Sequence, residues 1–176
     1  MVFDKKYLFS KCKKMSKCKD LSHTIWIVPP KTLLAFQYTS LSDIKPVLDQ
    51  TVWVLDKHEN GYIFGKSFAY INGKQSVTKF IGSITPYMDV YITFLGSNQP
   101  IIGLGKLKKK HGKYYFIMQM STTSMIETPN TSLDFGLTHW SYMYSITTND
   151  YWFHNLPYVN KSVPDYIESF KSNTNL

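Results

Sequence analysis

The sequence predicts an all-β protein, an antiparallel meander that closes into a small barrel of about eight strands. Thirteen Tyr and eleven Phe residues favour strands, because aromatic rings fit a pleated, half-buried surface. Only two Ala residues occur, which argues against helix-rich packing. Residues 51–121 consist of alternating apolar runs separated by short turn sequences, which is the pattern of a β-meander.

The length of 176 residues fits one domain with its own hydrophobic core. Hydrophobic residues make up 43% of the chain, which excludes a disordered protein. We predict a basic N-terminal tail over residues 1–22, a single barrel domain over 23–160, and a short helix with a frayed end over 161–176.

Positive charge is concentrated in the N-terminal tail. The chain carries a net charge of +8, and its first twenty residues hold seven Lys against two Asp. This tail is interpreted as a frayed or loosely helical segment, with a localisation signal or an electrostatic anchor for nucleic acid as alternatives. All twenty basic residues are Lys, so the chain lacks the guanidinium fork that reads guanine, and sequence-specific nucleic-acid recognition is disfavoured.

The two cysteines, Cys12 and Cys18, both lie in the tail and cannot form a disulfide framework. Together with His23 they match no zinc spacing and lack a fourth ligand, so we predict neither a metal site nor a cofactor. The sequence has no apolar stretch long enough for a membrane span and no signal-peptide core. We therefore expect an intracellular protein, cytoplasmic or nuclear.

The first elements of the predicted barrel are short. Residues 23–28 form an apolar run that Pro29-Pro30 ends, and residues 32–38 form a second strand. Residues 40–44 predict a helical turn with a serine cap, limited by Pro46, before the main sheet begins near residue 51.

Turn sequences divide the main sheet into strands. Asn60-Gly61 and Asn72-Gly73 accept the positive φ of tight hairpin turns, and Asn72-Gly73 is the strongest hairpin signal in the chain. Residues 96–100 and 110–113 predict two further hairpins. Glycines within the strand patterns indicate sharp bends or close backbone approach, as a small barrel requires. These are Gly65, Gly82, Gly103 and Gly105.

The last predicted strand, residues 137–147, alternates between two faces. One face carries Leu137, His139, Ser141, Met143 and Ser145, and the other carries Thr138, Trp140, Tyr142, Tyr144 and Ile146. The long break over residues 122–136 is typical of a lid or binding loop. After the strand, the aromatic residues 151–160 must pack on the sheet, and residues 162–170 predict a capped helix with Pro164 in its first turn.

A meander of this kind, with Trp53 soon after a helical turn and with a terminal helix, resembles the calycin architecture of lipocalins and avidins. The resemblance covers residues 23–160 and concerns topology. The lipocalin G-x-W signature is absent, because Thr51 stands where the glycine would be. The resemblance implies a barrel that binds a small ligand in its interior.

Catalytic motifs are absent: there is no nucleophile elbow, P-loop, zinc-protease or dinucleotide signature. Of the five histidines, His139 lies on a mixed face of the kind that lines a cavity. We interpret His139 as a hydrogen-bonded core or rim residue, or as a ligand contact or general base oriented by Glu127 or Asp134. His154 is a second candidate.

Three functions follow as hypotheses. The first is non-enzymatic binding of a small hydrophobic or aromatic ligand inside the barrel. Its predicted contacts are His139, Trp140, Ser141, Tyr142, Met143, Glu127, Trp152 and His154. The second is a structural or interaction protein whose tail and Lys-rich hairpin bind nucleic acid or an acidic partner. The hairpin residues are Lys106, Lys108, Lys109, Lys110 and Lys113, which otherwise protect a sheet edge. The third is a barrel isomerase, lyase or hydrolase that uses His139.

Overall fold

The computed structural model describes residues 20–40, 42–95, 101–122 and 136–171. Nine β-strands and two short α-helices are found within these ranges. The strands are β1 (Thr24–Ile27), β2 (Leu34–Ser40), β3 (Asp43–Glu59), β4 (Tyr62–Ile71), β5 (Lys74–Ile84), β6 (Asp89–Leu95), β7 (Ile101–Lys110), β8 (Lys113–Thr122) and β9 (Gly136–Ile146). The helices are α1 (Tyr151–His154) and α2 (Val163–Lys171), and a single 3₁₀ turn spans Pro30–Thr32.

The strands form a closed antiparallel barrel with eight positions. Seven of these positions are the consecutive strands β3 to β9, each paired with the next along the chain. The eighth position, between β3 and β9, is occupied by β1 and β2 together. Among the described strands, closure gives each of β3 to β9 a paired neighbour on both sides over most of its length, and the predicted fold class is confirmed.

β1 and β2 behave as one strand with an insertion. Both run antiparallel to β3 and to β9. From Ile27 to Leu34 the chain advances seven residues, whereas the partner β3 spans only four, from Val52 to Leu48. Three extra residues therefore bulge from this position, where the two prolines cannot donate ladder hydrogen bonds. The bulge contains the 3₁₀ turn Pro30–Thr32.

The helical turn predicted over residues 40–44 is wrong, because β3 begins at Asp43. Pro46 lies inside that strand and pairs with Phe36 of β2. Pairing with β4 begins only at Asp49, so Pro46 has a neighbouring strand on one side alone. A proline is tolerated at such an edge position, since the missing N–H leaves no ladder bond unmade. The sheet also begins earlier than residue 51.

The predicted asparagine–glycine hairpins are confirmed. Asn60 and Gly61 have φ values of 53° and 82°, and Asn72 and Gly73 have 48° and 81°. Two consecutive positive φ values define the turn that matches the twist of a tight hairpin. The β7–β8 hairpin has the same geometry at residues 111–112. The predicted hairpin at 96–100 and most of the predicted loop at 122–136 lie outside the described residues.

Large side chains fill the middle of the barrel. Trp26, Trp53 and Phe116 are fully buried, and the rings of Trp53 and Phe80 lie 5.2 Å apart. Gly65 makes room for this cluster, since a Cβ there would stand 2.6 Å from Cζ of Phe80. Alternation along β8 turns Tyr114, Phe116, Met118 and Met120 into the barrel interior.

The C-terminal segment forms a second layer outside the barrel. Leu156, Tyr166 and Phe170 are buried against the outer faces of β1, β3 and β4. The hydroxyl group of Tyr166 donates a hydrogen bond of 2.5 Å to the carbonyl oxygen of Gln50, and burial raises the pKa of this phenol. The aromatic segment and the terminal helix thus pack as the sequence predicts. Neither described helix is long and apolar enough to cross a membrane.

Candidate functional site

The predicted site residues on β9 point to two different sides of the barrel wall. His139, Ser141 and Met143 are buried and face the interior. Trp140 and Tyr142 face outward, and Trp140 is 61% exposed. Since a barrel strand turns successive side chains to opposite faces, these residues cannot line one pocket together. The predicted contacts therefore divide into an interior set and an exterior set.

His139 forms a buried pair with Asp49 of β3. Nδ1 of the ring lies 2.9 Å from Oδ2 of Asp49, a close contact that falls short of linear hydrogen-bond geometry. Nε2 lies 2.9 Å from the carbonyl oxygen of Thr32. Burial opposes an imidazolium here, but Asp49 and the Thr32 carbonyl outweigh it and raise the pKa of His139. Two oxygen acceptors facing two ring nitrogens suit a doubly protonated ring.

The His139–Asp49 pair lies beside the bulge that separates β1 from β2. Thr32 belongs to the bulge between β1 and β2, and the backbone N–H of Asp49 donates to the carbonyl oxygen of Leu33 at 2.7 Å. The hydroxyl group of Thr51 donates to Oδ1 of Asp49 at 2.5 Å. Both ring nitrogens of His139 are thus engaged with the protein itself. We call His139, Asp49 and Thr32 the buried clasp, because their contacts join β9, β3 and the bulge.

Asp49 was not among the predicted site residues. A usable signal exists in the sequence, because Asp49, Thr51 and Trp53 share one face of an alternating strand. A carboxylate on the same face as a buried tryptophan requires a partner. The predicted start of the main sheet near residue 51 left Asp49 outside the alternating strand, whereas β3 begins at Asp43.

A small interior cavity adjoins Asp49. It lies at the barrel end formed by the β2–β3 and β4–β5 connections and measures about 50 Å³. Its wall combines polar and apolar side chains, including Asp49, Thr51, Ser67, Phe94, Met120 and Leu137. This volume holds ordered water or one small group, whereas sites for drug-sized ligands occupy roughly 300–1,000 Å³.

A larger concavity lies on the outer surface of β8 and β9. We call it the aromatic groove and define it by Tyr115, Tyr142, Tyr144, Trp152, Pro29 and Pro30. It is open to solvent, its volume is about 620 Å³, and Lys31 and Lys113 lie in its wall. The ring centroids of Tyr115 and Tyr142 are 5.2 Å apart. Burial, with smaller contributions from Asp150 and Tyr115, raises the pKa of Tyr144 to about 12, so this phenol is neutral at physiological pH.

No protein-family model, curated protein or solved structure matches this chain. The sequence predicted two residues of the aromatic groove as ligand contacts, Tyr142 and Trp152. The bulge supplies the two prolines, and α1 supplies Trp152.

The remaining predicted residues lie apart from the groove or outside the described chain. His154 is exposed in α1, and its Nε2 lies 2.9 Å from the carbonyl oxygen of Thr148. Glu127 and Asp134 lie outside the described residues. Among the residues that the structure describes, no group of three His, Cys, Asp or Glu side chains could hold a metal ion.

The lysines of the predicted Lys-rich hairpin lie on β7 and at the start of β8, and they have different neighbours. Lys106 pairs with Asp89 at 2.5 Å, and Lys113 pairs with Asp150 at 2.6 Å. The Nζ atom of Lys109 lies 5.4 Å from the ring centroid of Tyr114. Lys108 and Lys110 are exposed and form no ion pair with another described residue. Lys108 is the direct cross-strand neighbour of Tyr115, at the edge of the aromatic groove.

Proposed function

We propose that this protein is a non-enzymatic, calycin-like ligand-binding barrel whose ligand is flat, aromatic and negatively charged. The observation that carries the proposal is the aromatic groove. Its volume of about 620 Å³ lies in the range of small-molecule sites. Tyr and Trp rings and two prolines offer apolar faces to a planar ligand, and Lys31 supplies positive charge beside them.

The aromatic groove is favoured as the ligand site because its volume is larger than that of the interior cavity. Trp26, Trp53 and Phe116 fill the centre of the barrel, and about 50 Å³ remains near Asp49. A second candidate function is binding of a small polar molecule in that interior cavity, where the Asp49 carboxylate would accept hydrogen bonds. Binding there would not depend on Tyr142, which separates the two candidates experimentally.

The enzymatic hypothesis receives less support from the geometry of His139. A general base needs a free nitrogen within hydrogen-bond reach of a substrate. Both nitrogens of His139 face protein oxygens, and its side chain is fully buried. We therefore assign His139 to the clasp rather than to proton transfer.

The proposal is tested by titrating the protein with 8-anilinonaphthalene-1-sulfonate, an aromatic anion with a planar naphthalene ring that fluoresces when it leaves water. We expect saturable binding at one site. Tyr142→Ala should weaken the affinity roughly tenfold, because one aromatic contact and its buried area are lost. Tyr91→Ala is the matched control, since Tyr91 is 53% exposed on β6, away from the groove.

Cooperative thermal unfolding of each variant must accompany the titration, because this dye also binds loosely packed states. Unchanged affinity in Tyr142→Ala would contradict the proposed groove site. Absence of saturable binding by the natively folded protein would contradict the proposed ligand class.

A further inference from the structure

The aromatic groove continues into an aromatic row along β9. Trp140, Tyr142 and Tyr144 occupy alternate positions of this strand and face outward. Alternate residues of an antiparallel strand are roughly 6.8 Å apart, about twice the 3.4 Å rise between stacked bases of a nucleic-acid strand. Such a row fits bases that are separated from one another. Trp140 is 61% exposed, so most of its surface is open to a partner.

Positive charge borders this row on two sides. Lys31 projects from the bulge at one side of the groove, and Lys108 stands beside Tyr115 at the other. Both side chains are exposed, and neither forms an ion pair with a described residue. Lys113 adds a third ammonium group, paired with Asp150. Trp140 is exposed, and Tyr142 and Tyr144 are partly buried. Together with the flanking lysines, these rings match the two requirements of an extended polyanion that also carries planar groups.

We propose that the ligand of the aromatic groove is single-stranded nucleic acid, whose bases stack on Tyr142, Tyr144 and Trp140 while Lys31 and Lys108 contact phosphates. This inference rests on the proposed function and names its ligand. Duplex nucleic acid is disfavoured, because its bases are already stacked on one another. Since the chain contains no Arg, it lacks the guanidinium fork that reads guanine, and we expect binding to depend mainly on stacking and backbone charge.

A proline-rich peptide is the competing class of partner, because grooves of Tyr, Trp and Pro also bind polyproline helices. Charge favours nucleic acid over this alternative. A polyproline segment carries no negative charge of its own to meet Lys31 and Lys108, whereas every nucleotide brings one phosphate.

The test is fluorescence anisotropy of a labelled oligothymidylate of about 12 nucleotides with the full chain at low salt. Trp140→Ala should weaken binding by roughly 5- to 100-fold, the effect of losing one base–aromatic stack. Trp140→Phe should keep most of the affinity. Tyr87→Ala is the control, since Tyr87 is 82% exposed in the β5–β6 connection. Every variant keeps the N-terminal lysines, so differences between variants report on the β9 face.

The charge contribution is measured from the dependence of affinity on salt. Lys108→Ala should reduce the slope of log affinity against log salt by about 0.7, the value for one phosphate contact to a single strand.

Three results would overturn the proposal: equal affinity in Trp140→Ala, equal binding of duplex DNA or heparin, or binding of a proline-rich peptide instead of the oligonucleotide. If the sulfonate dye binds in a Tyr142-dependent way but the oligonucleotide does not, the ligand class is wrong and the groove stands. If neither binds, both proposals fall.

Discussion

At the scale of single residues, we expect the His139–Asp49 pair to stabilise the junction of β9, β3 and the bulge. The two side chains are fully buried, and they join β9, β3 and the bulge around Thr32. A buried charge is tolerated only when a partner compensates it. Loss of either member should therefore affect the whole fold rather than one local contact.

Asp49→Ala should lower the free energy of unfolding by about 3–5 kcal/mol, because His139 then loses the carboxylate that faces Nδ1 in the barrel interior. The measurement is urea denaturation, compared with Asp43→Ala as the control. Asp43 pairs with Lys45 at 2.9 Å on the exposed surface, where ion pairs contribute little. Equal midpoints for the two variants would show that the buried pair has no special role.

The pH dependence of stability should carry the signature of His139. Its pKa is raised in the folded protein, so its contribution is present below the unfolded value of about 6.5 and is lost as pH rises through the folded pKa. The free energy of unfolding should thus fall from about pH 6.5 upward in the wild-type protein, and this fall should be absent in His139→Gln. His58, whose pKa burial lowers, acts in the opposite sense and on the acid side of this range. A variant that retained the wild-type slope would refute the assignment.

At the scale of elements, hairpin turns and alternation could be predicted from the sequence, whereas the split strand could not. Asn72-Gly73 specifies its turn by local backbone chemistry alone. The Pro29-Pro30 interruption reads locally as the end of one strand and the start of another. Both pieces occupy one barrel position because each pairs with β9: Trp26 of β1 with Ser145, and Phe36 of β2 with Thr138. These partners are more than a hundred residues away in the sequence.

Ser162 caps the start of helix α2, and its contribution to the free energy of unfolding can be measured. The hydroxyl oxygen of Ser162 accepts a hydrogen bond of 3.2 Å from the backbone N–H of Asp165. Ser162→Ala should lower the free energy of unfolding by about 1 kcal/mol, because that N–H loses its partner at the helix start. Ser162→Thr keeps a hydroxyl acceptor and should melt close to the wild type. Equal loss in both variants would place the effect in packing instead of capping.

At the scale of the whole molecule, the candidate site was only partly predictable. Tyr142 and Trp152 were expected to contact a ligand, and the structure brings them to one groove. Alternation in β9 already separated Tyr142 from His139, but it could not say which face was concave. The interior is filled by side chains from distant strands, and the exterior is shaped by the bulge and α1. Concavity of this kind arises from tertiary packing, which no local pattern records.

The shared position of β1 and β2 also has a consequence for synthesis on the ribosome. Phe36 pairs with Thr138 and Trp26 pairs with Ser145. The strands β1 and β2 therefore cannot complete their pairing until β9, the last strand, has been synthesised. Until β9 emerges, β2 and β8 each present an unpaired edge, which is a template for association with other nascent chains. Pairing over such separations is slow to form. The translation time of the segment from β3 to β9 therefore sets how long each new chain stays exposed to its neighbours.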